Sequence, residues 1–399
     1  MSKRFAWLLG VVVLVAIGFL VACGSKYSAS NDGLVLTSSQ GSAVIQSFSF
    51  NLASGHVSGI SKPPATAGVP SSIVLDPAGA FAYVIINQTG IAAYKVNSDG
   101  TMSASGSPVT DPNPVALAMD SSGKFLFVAE GLAGGVNVYG IGSGAALTPV
   151  PGTFALSTTA VAPNLVAVAA TPTVFPALTS TGTSNSVCSS QTAPTSEYLY
   201  AADAANNVVW EFSVDTSTGA LGNPGSTKAV PNFAAGSVPG GVAVDACNRF
   251  VYVANQNSNN VSAYTICTAV SVPTCPAADG SLVAVSGSPF SLSGGANGPG
   301  PILVDPFGNY VYVVDTLSNQ LSALHISPVS GALFDLSPAV VATGTSPTAI
   351  AIRSDDSWIF VANFVSNTLS QYAVTPASGA LTPQPAITTD NSPWGVAVK

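Results

Sequence analysis

The sequence predicts an all-β fold, a seven-bladed β-propeller with four-stranded blades. Three observations carry that prediction. A turn glycine followed by a short apolar strand recurs seven times, at Gly55, Gly100, Gly144, Gly219, Gly280, Gly331 and Gly379, with successive gaps of 45, 44, 75, 61, 51 and 48 residues. A proline preceding a short apolar strand also recurs seven times, at Pro70, Pro114, Pro163, Pro239, Pro301, Pro347 and Pro393. Between these markers lie four strand-like pieces, and four-stranded units of about 45 residues have the period of propeller blades.

The unit from Pro239 shows each element. Val242-Ala243-Val244 is a first strand, and Asp245 to Asn248 is a turn. Phe250 to Ala254 alternates at a period of two, as a strand does. Asn255 to Asn260 is a polar corner, Val261 to Ile266 a third strand, and the fourth follows Gly280. The first turn is clearest at Asp76-Pro77-Ala78-Gly79 and Asp305-Pro306-Phe307-Gly308. Asp first, Pro second and Gly fourth mark a type I turn. Pro393 to Val398 reads as a first strand alone, and Leu34 to Ser38 as a second strand. The C-terminal strand is therefore expected to complete the N-terminal blade, removing a sheet edge that would invite aggregation.

The 399 residues are 47% hydrophobic and only 7% charged, with formal charge −8. No basic run supports nucleic-acid binding. The N-terminus has a targeting pattern: Lys3 and Arg4, an apolar run from Phe5 to Leu20, then Leu20-Val21-Ala22-Cys23. Those last four residues resemble the lipobox of bacterial lipoproteins, which implies lipidation at Cys23 and anchorage to the membrane of the bacterial cell envelope, on the periplasmic or outer-membrane side. The expected organisation is a signal peptide over 1–22, a flexible tether over 23–33 and a propeller over 34–399. Cleavage leaves 8 basic and 18 acidic residues, net −10. The mature chain is expected to be a monomer.

Export permits disulfides. Beyond Cys23 there are four cysteines, Cys188, Cys247, Cys267 and Cys275, which allow three pairings. Cys188 lies in a Ser-, Thr- and Pro-rich insertion between the first and second strands of blade four, and Cys247 in the first turn of blade five. Both belong to one face of a propeller, which predicts Cys188–Cys247, and the short CTAVSVPTC loop predicts Cys267–Cys275.

FVYVANQNSNNVSAY, with VYVVDTLSNQLSALHI and FVANFVSNTLSQY, closely resembles the YVTN-type propeller repeat. The SGAL turns and the Asp-Pro-x-Gly turns resemble the seven-bladed lactonase family, which includes 6-phosphogluconolactonase-like proteins. The resemblance spans about residues 31 to 399. It implies hydrolysis of a lactone, by a carboxylic-ester hydrolase if the chain is an enzyme. Members related to 6-phosphogluconolactonase often carry Arg-His just after the blade-opening Pro. Here those places hold Ser71-Ser72, Val115-Ala116, Asn164-Leu165, Gly240-Gly241, Ile302, Thr348-Ala349 and Trp394-Gly395. A phosphorylated substrate needs cationic groups there, so an unphosphorylated lactone is the expected substrate.

The ends of the second strands predict a column of polar residues at the corner face: Ser38, Asn87, Glu130, Asp203, Asn255, Asp315 and Asn363. In one reading, Glu130 and Asp203 are catalytic carboxylates, and Asn87, Asn255, Asp315 and Asn363 contact a ligand or a Ca²⁺ ion at the channel mouth. In the other, Asn and Asp simply start tight corners, and the chain is a non-catalytic scaffold that binds glycan or protein at the cell surface. Glu130 fits the second reading least, because Glu is a poor turn starter. His56 is expected at the surface and His325 in a third strand. Trp394 is assigned to the core rather than to the mouth.

Overall fold

A computed structural model describes residues 32–60, 63–131, 134–152, 154–156, 162–171, 196–222, 232–268, 275 and 278–399. The expected signal segment and Cys23, within 1–31, and Cys188, within 172–195, lie outside the described residues.

Seven antiparallel sheets, six built on a path of four consecutive strands and one on the first three strands plus the last, surround one axis. Blade two is representative: Pro70–Leu75 is innermost, then Phe81–Ile86, Gly90–Val96 and Met102–Thr110. The innermost strands of blades three to seven are Pro114–Met119, Leu165–Ala170, Pro239–Val244, Pro299–Val304 and Pro347–Ile352. They touch one another in chain order around the ring. Blade one consists of Asp32–Ser39, Val44–Asn51 and Val57–Gly59, with Pro393–Val398 as its inner strand. Val35 pairs with Val398 and Ser38 with Gly395, so the expected closure is present.

The first turn works as its sequence implies. Asp76 accepts hydrogen bonds from the amides of Ala80 (2.6 Å) and Phe81 (2.8 Å), and Gly79 exits with φ +61°. Asp245 and Asp305 repeat the arrangement at Phe250 and Tyr310. The carboxylate thus ties each turn to the start of the second strand.

No single blade has a core of its own. Seven hydrophobic clusters occupy the seven seams between neighbouring blades. Second strands are therefore covered on both faces, and Phe250–Asn255, Tyr310–Asp315 and Trp358–Asn363 are buried at every position. At five seams the aromatic residue opening a second strand lies on the turn glycine of the next blade. The pairs are Phe125 on Gly219, Tyr198 on Gly280, Phe250 on Gly331, Tyr310 on Gly379 and Trp358 on Gly55. A Cβ on any of these glycines would lie 2.2–2.5 Å from the ring, and their φ values run from +67° to +84°. Three of the seams add a hydrogen bond. Tyr200, Tyr252 and Tyr312 donate their hydroxyls to the carbonyls of Gly280 (2.7 Å), Gly331 (3.0 Å) and Gly379 (2.9 Å).

Cys267 and Cys275 form the expected disulfide. Cys247 is disulfide-bonded as well; its expected partner, Cys188, is among the residues outside the description.

Two chemical effects meet at the seam glycines, and substitution separates them. Gly331→Ala adds a left-handed Cβ and drives it into the Phe250 ring, and is expected to cost about 2–4 kcal/mol. Gly106→Ala, at φ +74° with open space around it, should cost about 1 kcal/mol from backbone strain alone. Urea unfolding of both variants measures the gap, and equal midpoints would show that the ring contact contributes nothing.

Candidate functional site

Every inner strand is irregular at the same place. Its register against the second strand shifts after the opening residue, in all seven blades. Such a bulge leaves a residue out of the ladder and re-aims its side chain. The displaced residues are Ser71-Ser72, Val115, Val166, Gly240, Gly300-Pro301, Thr348 and Trp394. Each of the seven contributes to the wall of a central cavity of about 700 Å³. Deeper along the strands, Ile73, Leu117, Val168, Val242, Ile302, Ile350 and Val396 form an apolar ring. The corners of blades five to seven add Gln256, Thr316, Leu317 and Phe364 at the mouth. No Asp, Glu, His, Lys or Arg is among the described residues lining this cavity.

The register corrects two of the blade markers. Pro299, not Pro301, faces Asp315 and opens blade six. Leu165, not Pro163, faces Asp203 and opens blade four. The channel-facing residues there are accordingly Gly300-Pro301 and Val166-Ala167, again without Arg or His. Arg249 is held by Asp245 at 2.7 Å and Arg353 by Asp355 at 2.8 Å, both on first turns at the face opposite the corners.

The polar column exists, with two positions moved. Ser39 rather than Ser38 faces the opening Pro393, and in blade two the place belongs to Ile86, one residue before Asn87. Ser38 instead bonds Gly395 and Ser71, clamping the closing strand. Asn87 adopts φ +55° and accepts the Val69 amide at 2.7 Å.

The remaining column side chains point into their own corners. Asn255 accepts the Gly236 amide (3.0 Å) and donates to Asn260 (2.8 Å) and Ser262 (2.9 Å). Asn363 accepts the Gly344 amide (3.1 Å) and donates to Ser370 (3.0 Å). A second set of asparagines closes the corners in the left-handed conformation: Asn207, Asn259, Asn319 and Asn367. Each accepts the amide just before the next blade's opening proline, at Val238, Gly298, Ser346 and Ser392, over 2.7–2.9 Å. The Asn-rich corner is thus a blade-to-blade fastener.

The three carboxylates differ from one another. Asp203 is fully buried and accepts five hydrogen bonds, from the amides of Asn164, Ala205 and Asn206, from Asn206 Nδ2 and from Trp210 Nε1. Glu130 lies at the seam of blades two and three. Asn137 Nδ2 donates to Glu130 and to Asp111 (3.2 Å each), and the Tyr139 hydroxyl donates to Asp111 at 2.6 Å. Burial, reinforced by a shared hydrogen bond and the charge of Asp111, holds the Glu130 carboxyl well above the usual range. Asp315 accepts only from Ser322 (2.7 Å), and its Oδ1 has no partner. Ala296 stands where blades five and seven have Gly236 and Gly344, and its amide bonds Ser293 instead. Burial raises Asp315 to about 7. No group of three or more His, Cys, Asp or Glu side chains gathers among the described residues, so these carboxylates do not converge as a Ca²⁺ cage requires.

Sequence reasoning marked the positions after the blade-opening residues, which do line the cavity, and missed the residues at its mouth. Trp394, assigned to the core, is partly exposed at the mouth and meets Phe364 edge-on, with ring centroids 5.7 Å apart. Gln256, Thr316 and Phe364 each follow a column residue by one, and that offset was their available signal. His56 is exposed, as expected, and His325 packs its ring on Tyr310 in a third strand.

A seven-bladed ring around a central cavity lined by the inner strands defines the class. The family model for lactonases with a 7-bladed β-propeller matches residues 33–398, and the chain belongs to that family. Solved structures show the same fold. The Pseudomonas aeruginosa periplasmic gluconolactonase PpgL is 21% identical, with TM-score 0.69, over 92% of this chain and 98% of that one. A Bacteroides fragilis protein with a provisional 6-phosphogluconolactonase assignment is 19% identical, with TM-score 0.70, over 94% and 99%. No curated protein matches the chain.

The buried carboxyls have a pH consequence. Burial places Asp315 near 7, and Glu197, Glu211 and Asp356 each near 8. Folded values above unfolded ones mean that the native state binds more protons, so stability is fullest below about pH 4 in this respect and is lost as pH rises through 7–8. Thermal unfolding should show a lower Tm at pH 9 than at pH 5. Asp315→Asn supplies a donor for Ser322 and for the unpartnered Gln320 Oε1, and should gain about 1–3 kcal/mol at pH 8. A variant less stable than wild type at pH 8 contradicts this account of Asp315.

Proposed function

We propose that the chain is an exported, lipid-anchored propeller whose central cavity binds an uncharged, unphosphorylated lactone or sugar-like ring without hydrolysing it. One observation carries this reading: no ionisable side chain is among the described residues lining the cavity. A phosphate desolvated there would meet no compensating charge, which is costly. General acid–base chemistry needs a titratable group within about 3 Å of the reacting atom, directly or through one water. Ser72, Thr348, Gln256 and Thr316 instead offer neutral donors and acceptors, suited to hydroxyls and a ring carbonyl.

Family membership supports hydrolysis of an unphosphorylated lactone as a second reading. So does one placement: a Cβ built on Gly131, next to Glu130, would lie 2.9 Å from Val115 on the cavity wall, so Glu130 stands one residue from that wall. Calorimetry on the chain from Gly24 separates the two. Galactono-1,4-lactone is expected to bind, its 6-phosphate to bind at least tenfold more weakly, and lactone opening to proceed at the buffer rate. Opening that is accelerated by the wild type and abolished by Glu130→Gln would establish the hydrolase instead. Absence of binding by any uncharged lactone or sugar would remove the cavity as the site.

Export is supported by the Cys267–Cys275 disulfide and lipidation by the Leu20–Cys23 pattern. Cys23→Ser should move the protein from the membrane fraction to the soluble envelope fraction, and an unchanged distribution rules out the anchor.

A further inference from the structure

We infer that the cavity mouth is built for a ring bearing an apolar substituent, with Trp394 as the platform on which that substituent packs. This rests on the uncharged-ligand reading above. Among the described residues, six large hydrophobic side chains are exposed, and four of them stand at the corner face of four consecutive blades. Leu317 (66% exposed) belongs to blade six, Val365 (59%) to blade seven, Trp394 (39%) to blade one, and Val69 (45%) precedes the opening of blade two. Leu317 and Trp394 line the cavity itself, together with Phe364. Blade five, beside Leu317 and opposite Trp394, presents Gln256, followed by Asn257 and Ser258. The exposed apolar side chains at the mouth thus stand on blades six, seven, one and two, alongside Thr316, Thr348 and Ser72, and Gln256 is the largest polar side chain facing them.

Trp394 is fixed rather than loose. It is the bulged residue of the closing strand. Thr348 Oγ1 donates to its carbonyl at 2.8 Å, and Phe364 meets the indole at an interplanar angle of 89°. Gly395 allows this placement, because a Cβ there would lie 2.7 Å from the Ser71 carbonyl oxygen. A preorganised aromatic surface beside a cavity loses little entropy on binding and repeatedly serves as an anchor for a ligand with one apolar and one polar end. A polar ring in the cavity, hydrogen-bonded on the Gln256 side, places its substituent on the Trp394 arc.

The test compares galactono-1,4-lactone with γ-lactones of increasing alkyl length, from γ-butyrolactone to γ-nonalactone, by calorimetry and by the fluorescence of Trp394. Trp210 and Trp358 are buried and provide a steady background. Each methylene that reaches the apolar arc is expected to tighten binding about fourfold. Trp394→Ala should weaken γ-nonalactone at least tenfold, and Trp394→Phe should restore most of that loss. Leu317→Ser, on a side chain 66% exposed, should weaken γ-nonalactone severalfold and galactono-1,4-lactone by a smaller factor. Binding of galactono-1,4-lactone with no gain from alkyl length, or no loss in both Trp394→Ala and Leu317→Ser, overturns the inference and leaves the cavity reading intact. Failure of every uncharged lactone to bind the wild type overturns the cavity reading itself.

Discussion

The structure depends on one steric condition: the aromatic ring that opens a second strand needs a neighbour with no Cβ. Phe250 can reach the next blade only because Gly331 presents bare backbone to it, and the same holds at Gly55, Gly219, Gly280 and Gly379. The turn that creates this opening requires left-handed φ, which glycine alone adopts at no steric cost. A single residue type thus satisfies turn geometry and seam packing together. Because the hydrophobic clusters lie between blades, stability is shared by neighbours, and the ring stands or falls by its seams.

With the seams carrying the fold, the inner strands are released from it. Their bulges take one or two residues per blade out of the ladder and turn them toward the axis. The asparagine fasteners at four corners keep the next blade's opening proline in place. Architecture and cavity wall are therefore assigned to different residues. Asn255 and Asn363 hold corners, while Gln256 and Phe364, immediately following, line the cavity.

The same division explains what was legible in the sequence. Seam glycines, Asp turns and asparagine corners repeat from blade to blade, and repetition made the ring, the blade count and its closure readable. The cavity residues do not repeat. Val115, Gly240, Thr348 and Trp394 share a place and no chemistry, so the repeated opening proline marked their positions and nothing in their chemistry marked a site. The polar column attracted notice because it repeats, and its repetition is the signature of corners; Asp203, with every oxygen engaged within its corner and the adjoining strand opening, shows how completely. Two blade markers were misplaced by two residues: blade six carries a second proline, Pro301, just after its true opener Pro299, and blade four carries Pro163 just before Leu165, which opens it. Asp315 departs from the asparagine pattern for a reason that lies 19 residues upstream, in Ala296, and no local reading reaches it.

Ring closure also sets an order of events. The strand bearing Trp394 joins Ser38 across 357 residues of chain, and it supplies both the inner strand of blade one and one face of the cavity. A chain made amino end first must keep blade one unfinished until that strand arrives. Six blades can stack beforehand, yet the mouth lacks its indole until the last strand is in place. The closed cavity is in this sense a mark of completed assembly: a chain truncated before Pro393 would carry most of the fold and a cavity open at blade one.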